Sequence, residues 1–156
     1  MNSSRKTVSL KTLLRWRASC RRAGKKVVFT NGCFDIIHSG HIRLLEAARS
    51  QGGCLVVGLN SDNSVRRLKG PARPVNNQAD RAAVLSALEA VDRVVVFGED
   101  TPRRLLSFIR PDILVKGADY KTGQIIGREF AGKVARVKLV KGKSTTAVIK
   151  KLSNGQ

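Results

Sequence analysis

Short apolar runs alternate with helical patterns along this chain. "VVFT" (27–30) is continuously apolar up to its last residue, as a strand buried on both faces requires. "HIRLLEAARSQGG" (41–53) repeats its apolar positions at helical spacing and ends on a Gly pair suited to a left-handed cap. "CLVVGL" (54–59) predicts a second buried strand. The polar stretch "NSDNSVRRLKGPARPVNNQ" (60–78), marked by Gly70, Pro71 and Pro74, reads as a loop. "ADRAAVLSALEAV" (79–91) combines helix propensity with an apolar stripe, and "RVVVFG" (93–98) is a third strand. "EDTPRRLLSFIR" (99–110) carries helix-start chemistry, with Asp100 or Thr101 as cap and Pro102 in the first turn; Pro111 ends it. "DILVKG" (112–117) and "KVARVKLV" (133–140) predict strands four and five. "STTAVIKKL" (144–152) is a last helix whose Ser-Thr-Thr caps its own start. Ahead of all these, Leu10, Leu13 and Leu14 form the packing stripe of a first helix.

Strands separated by single helices dictate a parallel sheet with helices on both faces. The expected fold is therefore α/β: a Rossmann-like, doubly wound parallel sheet of about five strands in a single domain. Its expected division is a basic N-terminal helix or extension at 1–24, a core domain at 25–152 and a tail at 153–156.

Composition narrows the setting. No apolar run approaches the ~20 residues that span a bilayer, so no membrane partner is expected. The basic N-terminus lacks the apolar stretch of a secretory leader. Three cysteines, Cys20, Cys33 and Cys54, are odd in number and form no CxxC pair, which fits a reduced, cytoplasmic environment. The net charge is +19, but its distribution says more than its size. Residues 1–34 hold nine Lys/Arg and no acid, and residues 133–156 hold seven and no acid. Solvated surface charge accounts for this first, and a positive field that gathers phosphorylated substrates second. Nucleic acid ranks last as a partner, because one Trp, one Tyr and five Phe give little material for stacking bases.

Ligands of open parallel sheets bind at the carboxyl ends of the strands. Three polar, glycine-bearing segments fall there: residues 30–41, 117–121 and 141–146. The G-x-G-x-x-G fingerprint is absent after strand one. "GKST" (142–145) is no phosphate-loop tail either, since Val137 stands where that motif needs its first Gly. What remains is "HSGH" (38–41), both histidines of the chain at a helix entry. Free N–H groups and the helix dipole favour an anion at such a place. Imidazoles at i and i+3 face the same side, and Gly40 between them would let a phosphate approach the backbone. A structural pair, or a zinc pair completed by Cys33, are the competing readings.

The segment "FTNGCFDIIHSGH" resembles the signature of the HxGH nucleotidyltransferases, the cytidylyltransferase-like superfamily. The likeness continues through "LNSD", "RLKGPARPVN", "ALEAVDRVVVFGEDTP", "IRPDILVKGADY" and "GKSTT". As a series these are similar to the heptose 1-phosphate adenylyltransferases of ADP-heptose synthesis, which are often fused behind a sugar kinase. No kinase segment accompanies them here, so the resemblance implies the stand-alone form. It also implies ATP and a sugar 1-phosphate as substrates, Mg²⁺ accompanying the ATP, no protein metal ligands and a homodimer. By this resemblance His38 and His41 stabilise the transferring phosphate, and Lys69 brings a cation to it. Asn31, Gly32, Cys33 and Phe34 form the loop under the nucleotide, with Gly40 beside its phosphates. Asp119 contacts the nucleotide, and Ser144, Thr145 and Thr146 hold the distal phosphates. Asp35 and Arg73 lie toward the acceptor sugar phosphate. One departure is the run "VKLVKGKSTT", where several relatives carry an Arg and this chain offers Lys141 or Lys143. The nearest alternative is the same chemistry with CTP and glycerol 3-phosphate. A basic nucleic-acid-binding protein on this scaffold is the alternative of a different class.

Overall fold

In the computed structural model, which describes residues 5–138 and 140–155, the elements in chain order begin with α1 (Leu10–Arg22), β1 (Val27–Gly32), α2 (Ser39–Ser50) and β2 (Cys54–Asn60). They continue with α3 (Asp62–Lys69), α4 (Gln78–Ala87), β3 (Arg93–Phe97), α5 (Arg103–Ile109) and β4 (Ile113–Gly117). Two short 3₁₀ turns, Thr122–Gln124 and Arg128–Phe130, precede β5 (Lys133–Val137) and α6 (Thr145–Ser153). The five strands form one all-parallel sheet in the order β3-β2-β1-β4-β5. The doubly wound expectation is met.

Alternate residues of each strand serve opposite faces, so the sheet carries two cores. Phe29, Val56 and Leu114 pack with Leu13, Cys20 and Leu106 from α1 and α5. Val28, Leu55 and Val115 pack with Leu45, Ala48 and Leu85 from α2 and α4. Every residue of β2 is buried, which is why it reads as an unbroken apolar run. Ahead of α1, residues 6–8 run beside β3: Val94 N–H donates to Lys6 O and Val8 N–H to Val94 O, both at 2.9 Å. Arg17 of α1 is buried, with its guanidinium 3.1 Å from both Arg110 O and an Asp112 carboxylate oxygen.

Several boundaries differ from the sequence expectation. The stretch 60–78 contains α3, capped by Ser61, whose hydroxyl accepts from Ser64 N. Of its apolar residues Val65 is buried and Leu68 exposed, too faint a stripe to show against a polar background. Helix α4 ends at Ala87, because Leu88 is extended and begins the turn that buries Val91. Helix α5 starts only at Arg103, with Pro102 rather than Asp100 or Thr101 in the cap position. Asp100 is engaged elsewhere, accepting from Arg67 Nε at 2.7 Å. Gly52 and Gly53 are not in the left-handed region; they allow close passage, since a Cβ on Gly52 would lie 2.9 Å from Lys26 O. Strand five stops at Val137, and the Leu139 of its expected end lies outside the described residues.

Candidate active site

The strand order creates the crevice. From β1 the chain proceeds to β2 and β3 on one side, and from β4 it proceeds to β5 on the other, so the connections diverge between β1 and β4. This is the topological switch point, where open parallel sheets take their ligands. The backbone ladder between β1 and β4 registers Val28 with Ile113 and Phe29 with Leu114, and goes no further. Beyond it lie Asn31 and Gly32 of β1, the loop to α2, and Lys116 and Gly117 of β4.

Both histidines sit at the start of α2. His38 is its N-cap, accepting the Gly40 N–H on Nδ1 at 3.1 Å. That bond fixes the tautomer, leaving the proton and the donor on Nε2. The rings of His38 and His41 stack with centroids 3.8 Å apart and planes 25° from parallel. The His41 ring also leans on Phe34, at a centroid distance of 5.1 Å. Burial, with His38 alongside, pushes His41 down to about 4; burial and the Lys143 charge lower His38 as well. Near neutral pH the pair is thus two uncharged donors. His41 Nδ1 is buried with no partner among the described residues, a cost that native structures seldom carry without reason. Gly40 was expected to admit a phosphate, but the space a side chain would fill is taken. A Cβ there would meet the His38 ring at 2.9 Å and Lys143 Cβ at 3.2 Å. The missing side chain serves the fold-back of His38, and Gly40, His41 and Ile42 spend their N–H groups on His38 itself. At the start of α6, Ser144 caps Ala147 N at 3.1 Å. By helix geometry the N–H groups of Thr145 and Thr146 have no internal partner. Thr145 Oγ1 reaches Ile36 O at 3.4 Å, tying the start of α6 to the loop before α2. Thr146 is exposed.

The β1–α2 loop is strained and pinned. Phe34 is buried with φ 45°, a left-handed backbone that costs a non-glycine residue about 1–2 kcal/mol. Asp35 follows, its side chain fully buried. Its carboxylate accepts from Arg73 Nε at 2.6 Å, Val75 N at 2.9 Å and Asn76 N at 3.0 Å. Burial works against the ionised form, but these donors outweigh it and hold the carboxyl below its ordinary range. Asp35 and Arg73 therefore meet each other and fasten the 70–77 loop over the site. Lys69 is exposed at the end of α3, close enough for its charge to act on Cys33. The Cys33 thiol is raised by burial, with Lys69, Arg81 and Arg73 pulling the other way.

Two residues went unnoticed in the sequence. Arg81 of α4 is 1% exposed and donates to Cys33 O (2.6 Å), Asn60 O (2.9 Å), Asn76 O (3.0 Å) and Asp62 Oδ1 (2.7 Å). One guanidinium so joins the ends of β1 and β2, α3 and the loop. An Arg placed three residues before Val84 and four before Leu85 in an Ala-rich helix was its only signal. Lys116 stands on β4 and donates to Asn31 Oδ1 at 2.5 Å, across the crevice. Burial lowers it to about 8, against the opposing pull of Asp119, which is itself exposed. A lysine inside an apolar strand was the visible sign.

The chain is thus a doubly wound α/β domain with donors and cations gathered around its switch point, the place where such sheets take their ligands. Residues 29–154 match the family described as Cytidylyltransferase-like, and the chain belongs to that family. It is 56% identical over 132 residues to the bifunctional protein HldE of Wolinella succinogenes, covering 85% of this chain and 28% of that protein. Against the bifunctional protein HldE of Aliarcobacter butzleri the identity is 48% over 155 residues, 99% of this chain and 33% of the relative. The chain thus spans about a third or less of these relatives. Among solved structures, the lipopolysaccharide core biosynthesis protein from Thermoplasma volcanium GSS1 superposes with a TM-score of 0.64 at 30% identity. That match covers 76% of this chain and all of the other. No helix among the described residues is long and apolar enough to cross a membrane.

Proposed function

We propose that this chain is a nucleotidyltransferase that moves AMP from ATP to D-glycero-D-manno-heptose 1-phosphate, forming ADP-heptose and pyrophosphate. The observation that carries the chemistry is the stacked, uncharged imidazole pair at the start of α2, beside Lys143 and the start of α6. The sugar rests on the motif series from "RLKGPARPVN" to "GKSTT" and accords with relatives named bifunctional protein HldE and lipopolysaccharide core biosynthesis protein.

A phosphate monoester dianion is already a nucleophile near neutral pH. In-line attack of the sugar 1-phosphate oxygen on the α-phosphorus therefore needs no base from the protein, and pyrophosphate leaves. What the chain supplies is donors and positive charge where negative charge builds. His38 presents Nε2–H in a fixed direction, and His41 adds a second uncharged donor, both to α- and β-phosphate oxygens. The Thr145 and Thr146 amides take the distal phosphates, and Lys143 and Lys69 neutralise charge. Asp35 and Arg73 hold the 70–77 loop in place beside them.

A resident metal does not fit the residues present. Asp35 is saturated by its three donors, and no three His, Cys, Asp or Glu side chains converge among the described residues. Magnesium accordingly arrives as MgATP, part of the substrate, keeping waters and phosphate oxygens as ligands. The test is pyrophosphate release from each of four nucleoside triphosphates, with heptose 1-phosphate or glycerol 3-phosphate as acceptor. ATP with heptose 1-phosphate should be the fastest pair. Faster release from CTP with glycerol 3-phosphate would overturn the assignment.

A further inference from the structure

The bond from Lys116 to Asn31 occupies a telling place. Backbone pairing between β1 and β4 ends at Phe29 and Leu114, and two residues further on a side-chain hydrogen bond spans the opening. An ammonium has donors and no acceptor, so Asn31 must turn its oxygen toward Lys116. Its two N–H bonds are then presented on the other side of the amide. The Asn31 side chain is hemmed in from β2 as well: Gly58 is its register partner, and a Cβ on Gly58 would lie 3.2 Å from Asn31 Cβ. Lys116 itself lies with its ammonium 5.6 Å from the centre of the Tyr120 ring, and its register partner on β5 is Arg136. Among the described residues Asp119 is the carboxylate whose charge acts on it.

Resting on the nucleotidyltransferase reading above, we propose that Lys116 is a positioning residue for the nucleoside triphosphate. It locks the Asn31 amide in the orientation that offers two N–H donors to acceptor oxygens of the bound nucleotide. The step is one of orientation only; no bond is made or broken at Lys116.

The experiment compares Lys116→Met, Lys116→Arg, Asn31→Ala and the Lys116→Met/Asn31→Ala double variant in the full chain. ATP binding is followed by equilibrium dialysis and turnover by pyrophosphate release. One lost orienting hydrogen bond predicts about tenfold weaker ATP binding for Lys116→Met, with the KM for the sugar phosphate within about twofold. Asn31→Ala should match it, and the double variant should be no worse than the weaker single, because both remove one unit. Lys116→Arg, still a donor, should recover most of the loss. Wild-type ATP affinity in Lys116→Met, or losses that multiply in the double variant, would overturn the proposal. Dialysis reads Lys116 without turnover, whereas wild-type protein that binds ATP but releases no pyrophosphate with any acceptor sinks the functional reading alone.

Discussion

His38 does two jobs that a substitution can separate. Its Nδ1 caps α2 by accepting the Gly40 N–H, while its Nε2–H is the group the proposed mechanism turns toward phosphate. Asn is among the best N-cap residues, so His38→Asn keeps the cap and removes the ring. Losing one preorganised donor to developing charge costs about 3–4 kcal/mol of barrier, a rate loss on the order of several hundredfold. Losing the cap, as in His38→Ala, costs about 1 kcal/mol of stability in addition, or about 2–4 °C of Tm at this chain length. The two variants should therefore share a collapsed turnover and differ in melting temperature, with His38→Asn near wild type. The assay is single-turnover pyrophosphate release at saturating MgATP, alongside calorimetric melting. If His38→Asn retains turnover within about threefold of wild type, the imidazole is not a phosphate donor and the mechanism is wrong.

Other outcomes follow from the same geometry. Replacing Arg81 by Met leaves the buried Asn60 carbonyl, the half-buried Cys33 carbonyl and the half-buried Asp62 carboxylate without this donor, and should lower the unfolding free energy by about 3 kcal/mol in urea titrations. His41 is held near 4 when folded against an ordinary 6.5, so below 6.5 the unfolded chain binds a proton that the folded chain refuses. Stability should decline from pH 6.5 toward 4, with the Asp35 contribution fading at the acid end of the carboxylate range, and His41→Phe should flatten the upper part of that decline. Burial and the neighbouring Cys20 thiol push Cys54 up to about 11, whereas Cys33 is half-buried and faced by three cations. Iodoacetamide at neutral pH should label Cys33 first, and faster labelling of Cys54 by mass spectrometry would contradict this.

The parts of the molecule governed by local or fully apolar patterns were readable from the chain. The first four strands fall within two residues of their expected ends because each is buried on both faces. The histidine pair was equally legible, since i and i+3 at a helix entry must adjoin. What escaped depends on partners distant in sequence. Lys116 finds its hydrogen-bond partner in Asn31, 85 residues away, and only the strand order brings them together. Arg81 is buried only because the ends of β1 and β2 close on it, which its own stretch of α4 does not announce. The fold-back of His38 onto Gly40 was hidden too, because "HSGH" does not reveal which nitrogen the backbone will claim. Helix α3 escaped for the opposite reason, having little buried apolar surface to announce it.

The order β3-β2-β1-β4-β5 leaves the two margins of the sheet unequal. Residues 6–8 shield β3, while β5 pairs on one side only among the described residues and carries exposed Lys133 and Arg136. A bare strand margin invites a second chain to zip onto it, and lysines and arginines set along it repel such a visitor. Each like-charged encounter costs up to about 1 kcal/mol at 4 Å in water. Part of the cationic surplus near the carboxyl end thus lies where it opposes edge-to-edge pairing of two copies.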